Sequence, residues 1–217
     1  SHVDLRYWVK WARQISVAMN YLHTRTNPVI HLDMKCANVL LDNVDHTCAS
    51  VKIIDFCRAQ TLSPWHQHLK HACVSTPAYA APELLTNAGV DLLAKPLDVY
   101  STGVMFGYMF SGVKPWKDEK SIFSIYEKVK QGFKPPIGGG VRDVPDWLNR
   151  FVLSPMLFRG AEMRPKFVEI SNRIRLFEEK RYGTRRSFAS ISTEQEEEIS
   201  TKDDGSDNEE DISTSFV

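Results

Sequence analysis

Asp33, Lys35, Asn38 and Asp55 lie at the margins of three short apolar runs, and no other feature limits the possible folds of this chain as tightly. Val29-Ile30 leads extended into His31-Leu32-Asp33, Asn38 opens Val39-Leu40-Leu41, and Asp55 follows Val51-Lys52-Ile53-Ile54. The last two runs flank the turn-rich Asp42-Asn43-Val44-Asp45, so they predict small strands. Such a hairpin holds Asn38 and Asp55 on opposite sides of a shared cleft floor.

The rest of the chain reads as helical. Over residues 4–23, Trp8, Trp11/Ala12, Ile15, Ala18/Met19 and Leu22 recur at helical spacing behind Asp4, a suitable N-cap, and Asn27-Pro28 breaks the pattern. Lys95-Pro96-Leu97-Asp98 begins the most apolar helix, with Pro96 near its start and Gly112 at its end. Residues 119–131, 144–153 and 165–179 give further helical patterns, whereas Asp55 to Glu83 is loop-like and rich in His, Ser and Thr. The expected fold class is mainly α with short β-hairpins at the cleft floor.

After Arg181 the periodicity stops. Residues 181–217 hold four Lys/Arg against ten Asp/Glu, leaving 23 against 17 in the remainder. Such a segment buries too little apolar surface to offset its ordering entropy. The expected organisation is therefore a folded domain over residues 1–180 and a disordered acidic tail over 181–217, with no internal repeat. A mildly basic body suits an anionic ligand and gives no indication of nucleic acid. The four cysteines, Cys36, Cys48, Cys57 and Cys73, form no C-x-x-C pair and read as reduced intracellular thiols. Val99 to Phe110 is too short to span a bilayer. The expected setting is cytoplasmic, with no membrane partner.

Longer motifs stand around the four polar residues. His31-Leu32-Asp33-Met34-Lys35-Cys36-Ala37-Asn38, Asp55-Phe56-Cys57 and Ala81-Pro82-Glu83 follow in order. Ser75-Thr76-Pro77-Ala78-Tyr79-Ala80 leads into the third, and Asp98-Val99-Tyr100-Ser101-Thr102-Gly103 and Met163-Arg164-Pro165 come later. Together they resemble the catalytic loop, magnesium loop, activation segment and C-terminal helices of a eukaryotic serine/threonine protein kinase, over roughly residues 4–179. Trp11-Ala12-Arg13-Gln14-Ile15 to Asn20-Tyr21-Leu22-His23 resembles the tyrosine-kinase-like branch, including mixed-lineage types, and Leu32 before Asp33 is familiar from the Mos kinases.

The resemblance implies transfer of the ATP γ-phosphoryl group to a protein Ser or Thr hydroxyl, with ATP and Mg²⁺ bound. Asp33 would orient the hydroxyl, Lys35 would steady the phosphoryl charge, Asn38 and Asp55 would bind metal, and Leu40 would form the floor under the adenine. It also implies an Asp98 carboxylate bonded to the catalytic-loop backbone and an ion pair between Glu83 and Arg164. The sequence holds no Gly-x-Gly-x-x-Gly stretch, its nearest imitation being Gly138-Gly139-Gly140, and no Val-Ala-Ile-Lys-like strand precedes His31. The resemblance is thus to a kinase C-terminal lobe with the N-terminal lobe missing, and a chain of this composition alone is expected to be inactive.

Departures from the family pattern bear on regulation. Leu32 stands where an arginine usually binds a phosphate on the activation loop, which implies a loop ordered without phosphorylation. Cys57 replaces a glycine, and its Cβ is expected to restrict the flipping of the magnesium loop. Two rival functions remain. One is a truncated or pseudokinase-like binding module, against which the intact Asp33, Lys35, Asn38 and Asp55 argue. The other is a small-molecule phosphotransferase, whose relatives lack Ala-Pro-Glu and the Arg164 site. His66, His68, His71 and Cys73 have spacing for zinc, although solvated loop residues are the plainer reading. Ser63, Ser75 and Thr76 are possible phosphorylation positions. In the tail, Arg185-Arg186-Ser187 and Ser206-Asp207-Asn208-Glu209 fit kinase acceptor patterns, and Ser215-Phe216-Val217 fits a PDZ-domain partner.

Overall fold

The computed structural model describes residues 3–63, 65, 68–69, 76–86, 92–137 and 143–183. Helix α1 (Leu5–His23) starts at Asp4, whose carboxylate accepts the Arg6 backbone N–H at 2.8 Å. Its most buried residues are Val9, Trp11, Ala12, Ile15, Ser16, Met19 and His23. Trp11, Ala12, Ile15 and Met19 of the expected stripe are thus buried, Trp8 and Leu22 pack half-buried against the same core, and Val9, Ser16 and His23 join the buried face.

Strands β1 (Val29–Ile30), β2 (Val39–Leu41), β3 (Val51–Ile53) and β4 (Gln60–Thr61) follow. The predicted hairpin is present as antiparallel β2–β3, with Val39 opposite Ile53 and Leu41 opposite Val51. The segment read as loop-like up to Glu83 is more ordered than expected. Gln60–Thr61 pairs with Val29–Ile30, and β5 (His68–Leu69) pairs antiparallel with β6 (Leu92–Leu93). Glu83 lies in the first turn of a short helix, α2 (Pro82–Thr86). Two-residue strands carry no alternation to read, and their pairing is supplied entirely by distant residues.

Helix α3 (Ala94–Ser111) is buried on nearly every side, as an apolar helix at the centre of a domain must be. Gly112 ends it at φ 75°, a left-handed cap that glycine adopts without strain. Gly103 admits a close neighbour: a Cβ there would lie 2.8 Å from the Met156 Cβ. Asp98 lies inside α3, one turn beyond its start.

Helix α4 (Ile122–Lys130) is capped by Ser121, whose hydroxyl accepts the Ser124 N–H. The helix expected over residues 144–153 is compound: α5 (Asp146–Leu148) passes through a π turn (Asn149–Leu153) into α6 (Ser154–Met156). Pro155 has no N–H to offer one turn back, and the Phe151 carbonyl instead accepts Arg173 Nη1 at 3.0 Å. Helix α7 (Phe167–Tyr182) runs three residues past its expected end and contains Arg181. The main core joins Ile15 and Met19 of α1, Phe106 and Phe110 of α3, and Phe167 and Ile174 of α7. Among the described residues no helix is long and apolar enough to cross a membrane.

The expected acidic tail from Thr184 onward, Gly138–Gly140, His66, His71, Cys73 and Ser75 lie outside the described residues. Among the described residues no group of three His, Cys, Asp or Glu side chains is placed to hold a metal ion.

Candidate active site

The segment between β1 and β2 is held from below by one buried carboxylate. Asp98 is fully buried in α3 and accepts the His31 N–H, the Leu32 N–H and His23 Nε2, each at 2.8 Å. Leu32 takes φ 63° under this grip, a left-handed conformation that a branched side chain rarely adopts. His31 is buried and spans two loops. Its Nε2 donates to the Ile54 carbonyl at 3.0 Å, and its Nδ1 accepts the Asp33 N–H at 3.3 Å. Its ring also lies 4.9 Å from that of Phe56. This buried ring ties the loop of Asp33 to the loop of Asp55.

Asp33 is 7% exposed, and its carboxylate gathers three of the neighbouring polar groups. Lys35 Nζ reaches Oδ2 at 2.5 Å, Thr76 Oγ1 donates to Oδ1 at 2.7 Å, and Asn38 Nδ2 donates to Oδ2 at 3.2 Å and to the Asp33 carbonyl at 2.8 Å. Lys35 Nζ also donates to Thr76 Oγ1 at 3.1 Å, so the three side chains close a ring. A cavity of about 20 Å³, bounded in part by Asp33, Met34, Thr76 and Leu84, adjoins this ring. That volume accommodates one water molecule.

Asn38 and Asp55 lie at the same end of the β2–β3 hairpin on opposite strands, and the Ile54 N–H donates to the Asn38 carbonyl at 3.0 Å. Asn38 Nδ2 is committed to Asp33, so its amide oxygen is the atom that could ligate a cation. One carboxylate and one amide oxygen fit Mg²⁺, which takes few protein ligands and completes its octahedron with phosphates and water. Asp55 is exposed and takes φ 63°. The positive φ thus falls on Asp55, not on Cys57, whose Cβ causes no backbone strain in this arrangement. The neighbouring Asp55 carboxylate pushes the pKa of the exposed Cys57 thiol up. Leu40 is 49% exposed on β2.

The activation segment ends on a buried ion pair. Arg164 Nη1 and Nη2 meet Glu83 Oε1 and Oε2 at 2.6 and 2.8 Å. The guanidinium also donates to the carbonyls of Phe158 (2.8 Å), Pro96 (2.9 Å) and Arg159 (3.4 Å), and its carbon lies 4.9 Å from the Tyr100 ring centroid. The pairing expected from the motifs is present and more connected than they indicated. The protein kinase domain model matches residues 2–152, well over half of the chain. This chain belongs to the protein kinase family.

Among its relatives, this kinase chain is 33% identical to serine/threonine-protein kinase WNK8 of Arabidopsis thaliana over 169 residues, covering 78% of the chain and 28% of the relative. It is 32% identical to the probable serine/threonine-protein kinase WNK5 of Oryza sativa subsp. japonica over 142 residues, 65% of the chain and 41% of the relative. It is also 32% identical to receptor-interacting serine/threonine-protein kinase 4 of Mus musculus over 173 residues, 78% of the chain and 21% of the relative. The chain therefore spans between a fifth and two fifths of these relatives' lengths.

Sequence reading did not reveal that His23 bonds to Asp98, or that Thr76 closes the ring on Asp33. The sequence marks Thr76 only within its motif and as a possible phosphorylation position, and a contact 43 residues away leaves no local signal. Cys36, inside the catalytic loop, is half-buried, and burial pushes its thiol up to about 11. At pH 8 its thiolate fraction is then on the order of 100-fold below that of an ordinary cysteine. Iodoacetamide labelling followed by peptide mass analysis is expected to leave Cys36 unmodified while the exposed Cys48 is fully labelled. Equal labelling of the two would contradict the burial of Cys36.

Proposed function

We propose that this chain carries the catalytic loop with which a serine/threonine protein kinase transfers the γ-phosphoryl group of ATP to a protein hydroxyl. The observation that carries the reading is the Asp33 carboxylate, held at once by Lys35 and Thr76 and backed by Asn38. Phosphoryl transfer asks for positioning and charge, and this cluster supplies both. Asp33 orients the substrate hydroxyl and accepts its proton as the oxygen attacks the γ-phosphorus and the bridge to ADP breaks. Lys35 sets its positive charge against the phosphoryl oxygens. Asn38 and Asp55 hold Mg²⁺, which supplies charge neutralisation to the phosphates when bound. The half-exposed Leu40 gives the adenine an apolar floor. The serine/threonine assignment is supported by Lys35 two residues after Asp33, by its bond to Thr76, and by the names of the relatives.

Thiols without C-x-x-C pairing support a cytoplasmic setting. Ser215-Phe216-Val217 supports a PDZ-domain partner by its sequence alone. The deciding measurement uses a chimera in which the N-terminal lobe of a related kinase precedes residue 1. Asp55→Ala is expected to weaken calorimetric binding of ATP with Mg²⁺ by at least about tenfold, through loss of the carboxylate that ligates the cation. Undiminished binding and transfer in Asp55→Ala would remove Asp55 from the metal site.

A further inference from the structure

Phe151 is the most exposed member of an aromatic row, and two guanidiniums are fixed on it. Its ring lies 5.4 Å from that of Trp147, which stacks on Phe177 at 5.2 Å, and Tyr182 follows at 6.4 Å. Phe177 belongs to the main core, so the row gives Phe151 a rigid backing. Phe151 itself is 43% exposed and lies in the π turn, an irregularity that recurs at functional positions. The Arg150 guanidinium carbon is 5.5 Å from its ring centroid, and Arg173 Nη1 donates to its carbonyl. One turn along α7 from Arg173, Leu176 is 53% exposed. We infer that Arg150, Phe151, Arg173 and Leu176 form a docking surface for a segment of a partner protein in which carboxylates flank a large apolar side chain.

Charge complementarity identifies the occupant. Arg6, Arg13, Arg164 and Arg175 each pair with a carboxylate of this chain, whereas among the described residues Arg150 and Arg173 pair with none. Asp146 and Glu169, one turn before Arg150 and Arg173, form no ion pair with them, and Glu169 instead accepts the Lys166 N–H. The Phe151 carbonyl takes one of the five N–H donors of Arg173, and no described residue accepts the others. Arg150 engages the ring and makes no hydrogen bond among the described residues. Each guanidinium is a planar fork that can receive a carboxylate through two parallel bonds. A purely apolar partner would strip water from two unpaired cations, which costs free energy. A purely ionic partner would leave Phe151 and Leu176 uncovered. Only a segment with both features satisfies the whole surface, and heads already fixed lower the ordering cost of binding. None of these residues belongs to the cluster around Asp33, so the test needs neither nucleotide nor turnover.

Fluorescence anisotropy on the full 217-residue chain is the test. The probe is a fluorescein-labelled peptide, Gly-Glu-Glu-Phe-Glu-Glu-Gly, used beside forms with Gln for every Glu, Ala for Phe, or phosphoserine for the two central Glu residues. The acidic peptide is expected to bind saturably, and the Gln and Ala forms each at least about fivefold more weakly. Arg150→Glu is expected to weaken binding by at least about tenfold with an unchanged melting temperature, because Arg150 is exposed. If it melts lower than wild type, Arg150→Gln takes its place, with at least about a threefold loss expected. Leu176→Asn, on the other element, should cost about threefold. Lys117→Glu makes the same change of net charge at an exposed lysine outside this surface and should bind as wild type does. Absence of saturable binding overturns the inference, as does equal binding of the Gln form. An equal loss in Lys117→Glu would reduce the effect to overall charge and overturn it too. Tighter binding of the phosphoserine form would replace the acidic segment with a phosphorylated one.

Discussion

Asp33→Ala, in the chimera with a nucleotide-covering lobe, is expected to lower phosphoryl transfer by roughly 10²–10⁴-fold, the usual contribution of a positioned general base. Affinity for ATP with Mg²⁺ should stay close to wild type, because Asp33 is held by Lys35, Asn38 and Thr76 and is not assigned to the metal. The loss should therefore appear in kcat, with little change in nucleotide binding. Removal of the carboxylate leaves Lys35 still bonded to the Thr76 hydroxyl, so the local fold has a means of surviving. A radiolabel transfer assay run beside calorimetry separates the two quantities. Transfer at wild-type rates in Asp33→Ala would mean that another group receives the hydroxyl proton.

Breaking the Glu83–Arg164 pair is expected to give the largest loss of stability. The Arg164 side chain is fully buried and meets the Glu83 carboxylate, its other bonds going to backbone carbonyls. Glu83→Ala strands a buried guanidinium, a change that costs about 3–5 kcal/mol. For a domain of this size that corresponds to about 6–20 °C in melting temperature. Arg164→Ala should cost at least as much, since the carbonyls of Pro96 and Phe158 lose their donor along with Glu83. Paired replacement by apolar residues, Glu83→Leu with Arg164→Met, should recover part of the loss, because no charge is then left uncompensated. Calorimetric melting of the four proteins is the measurement. Single variants within about 1 kcal/mol of wild type would place the pair among ordinary surface ion pairs.

The sequence was most legible where local chemistry decides the backbone. Asp4 caps α1, Asp42 bonds to Ser50 across the mouth of the β2–β3 connection, and Gly112 ends α3. In each case a side chain or a glycine acts on its own few neighbours, so spacing along the chain carries the information. Ordered motifs extended that reach to Glu83 and Arg164, 81 residues apart. The pairing of His68–Leu69 with Leu92–Leu93 was not legible, because two-residue strands have no periodicity and their partners are chosen by the surface on which they land. The same holds for the π turn before Pro155.

For the candidate site, the amino-acid sequence by itself determined which groups are available: one carboxylate and one lysine on the catalytic loop, and an amide and a second carboxylate at the end of the hairpin. Those identities follow from order and spacing, and the family follows from them. The tertiary structure alone decided how the groups are held. Asp98, more than sixty residues away, sets the backbone of His31 and Leu32, and Thr76 completes the ring on Asp33. It also placed the unusual φ at Leu32 and Asp55, where the sequence had drawn attention to Cys57. The physical reason is one of range. A cap or a turn is settled within a few residues, whereas a buried carboxylate finds its donors only after the apolar helices around it have packed.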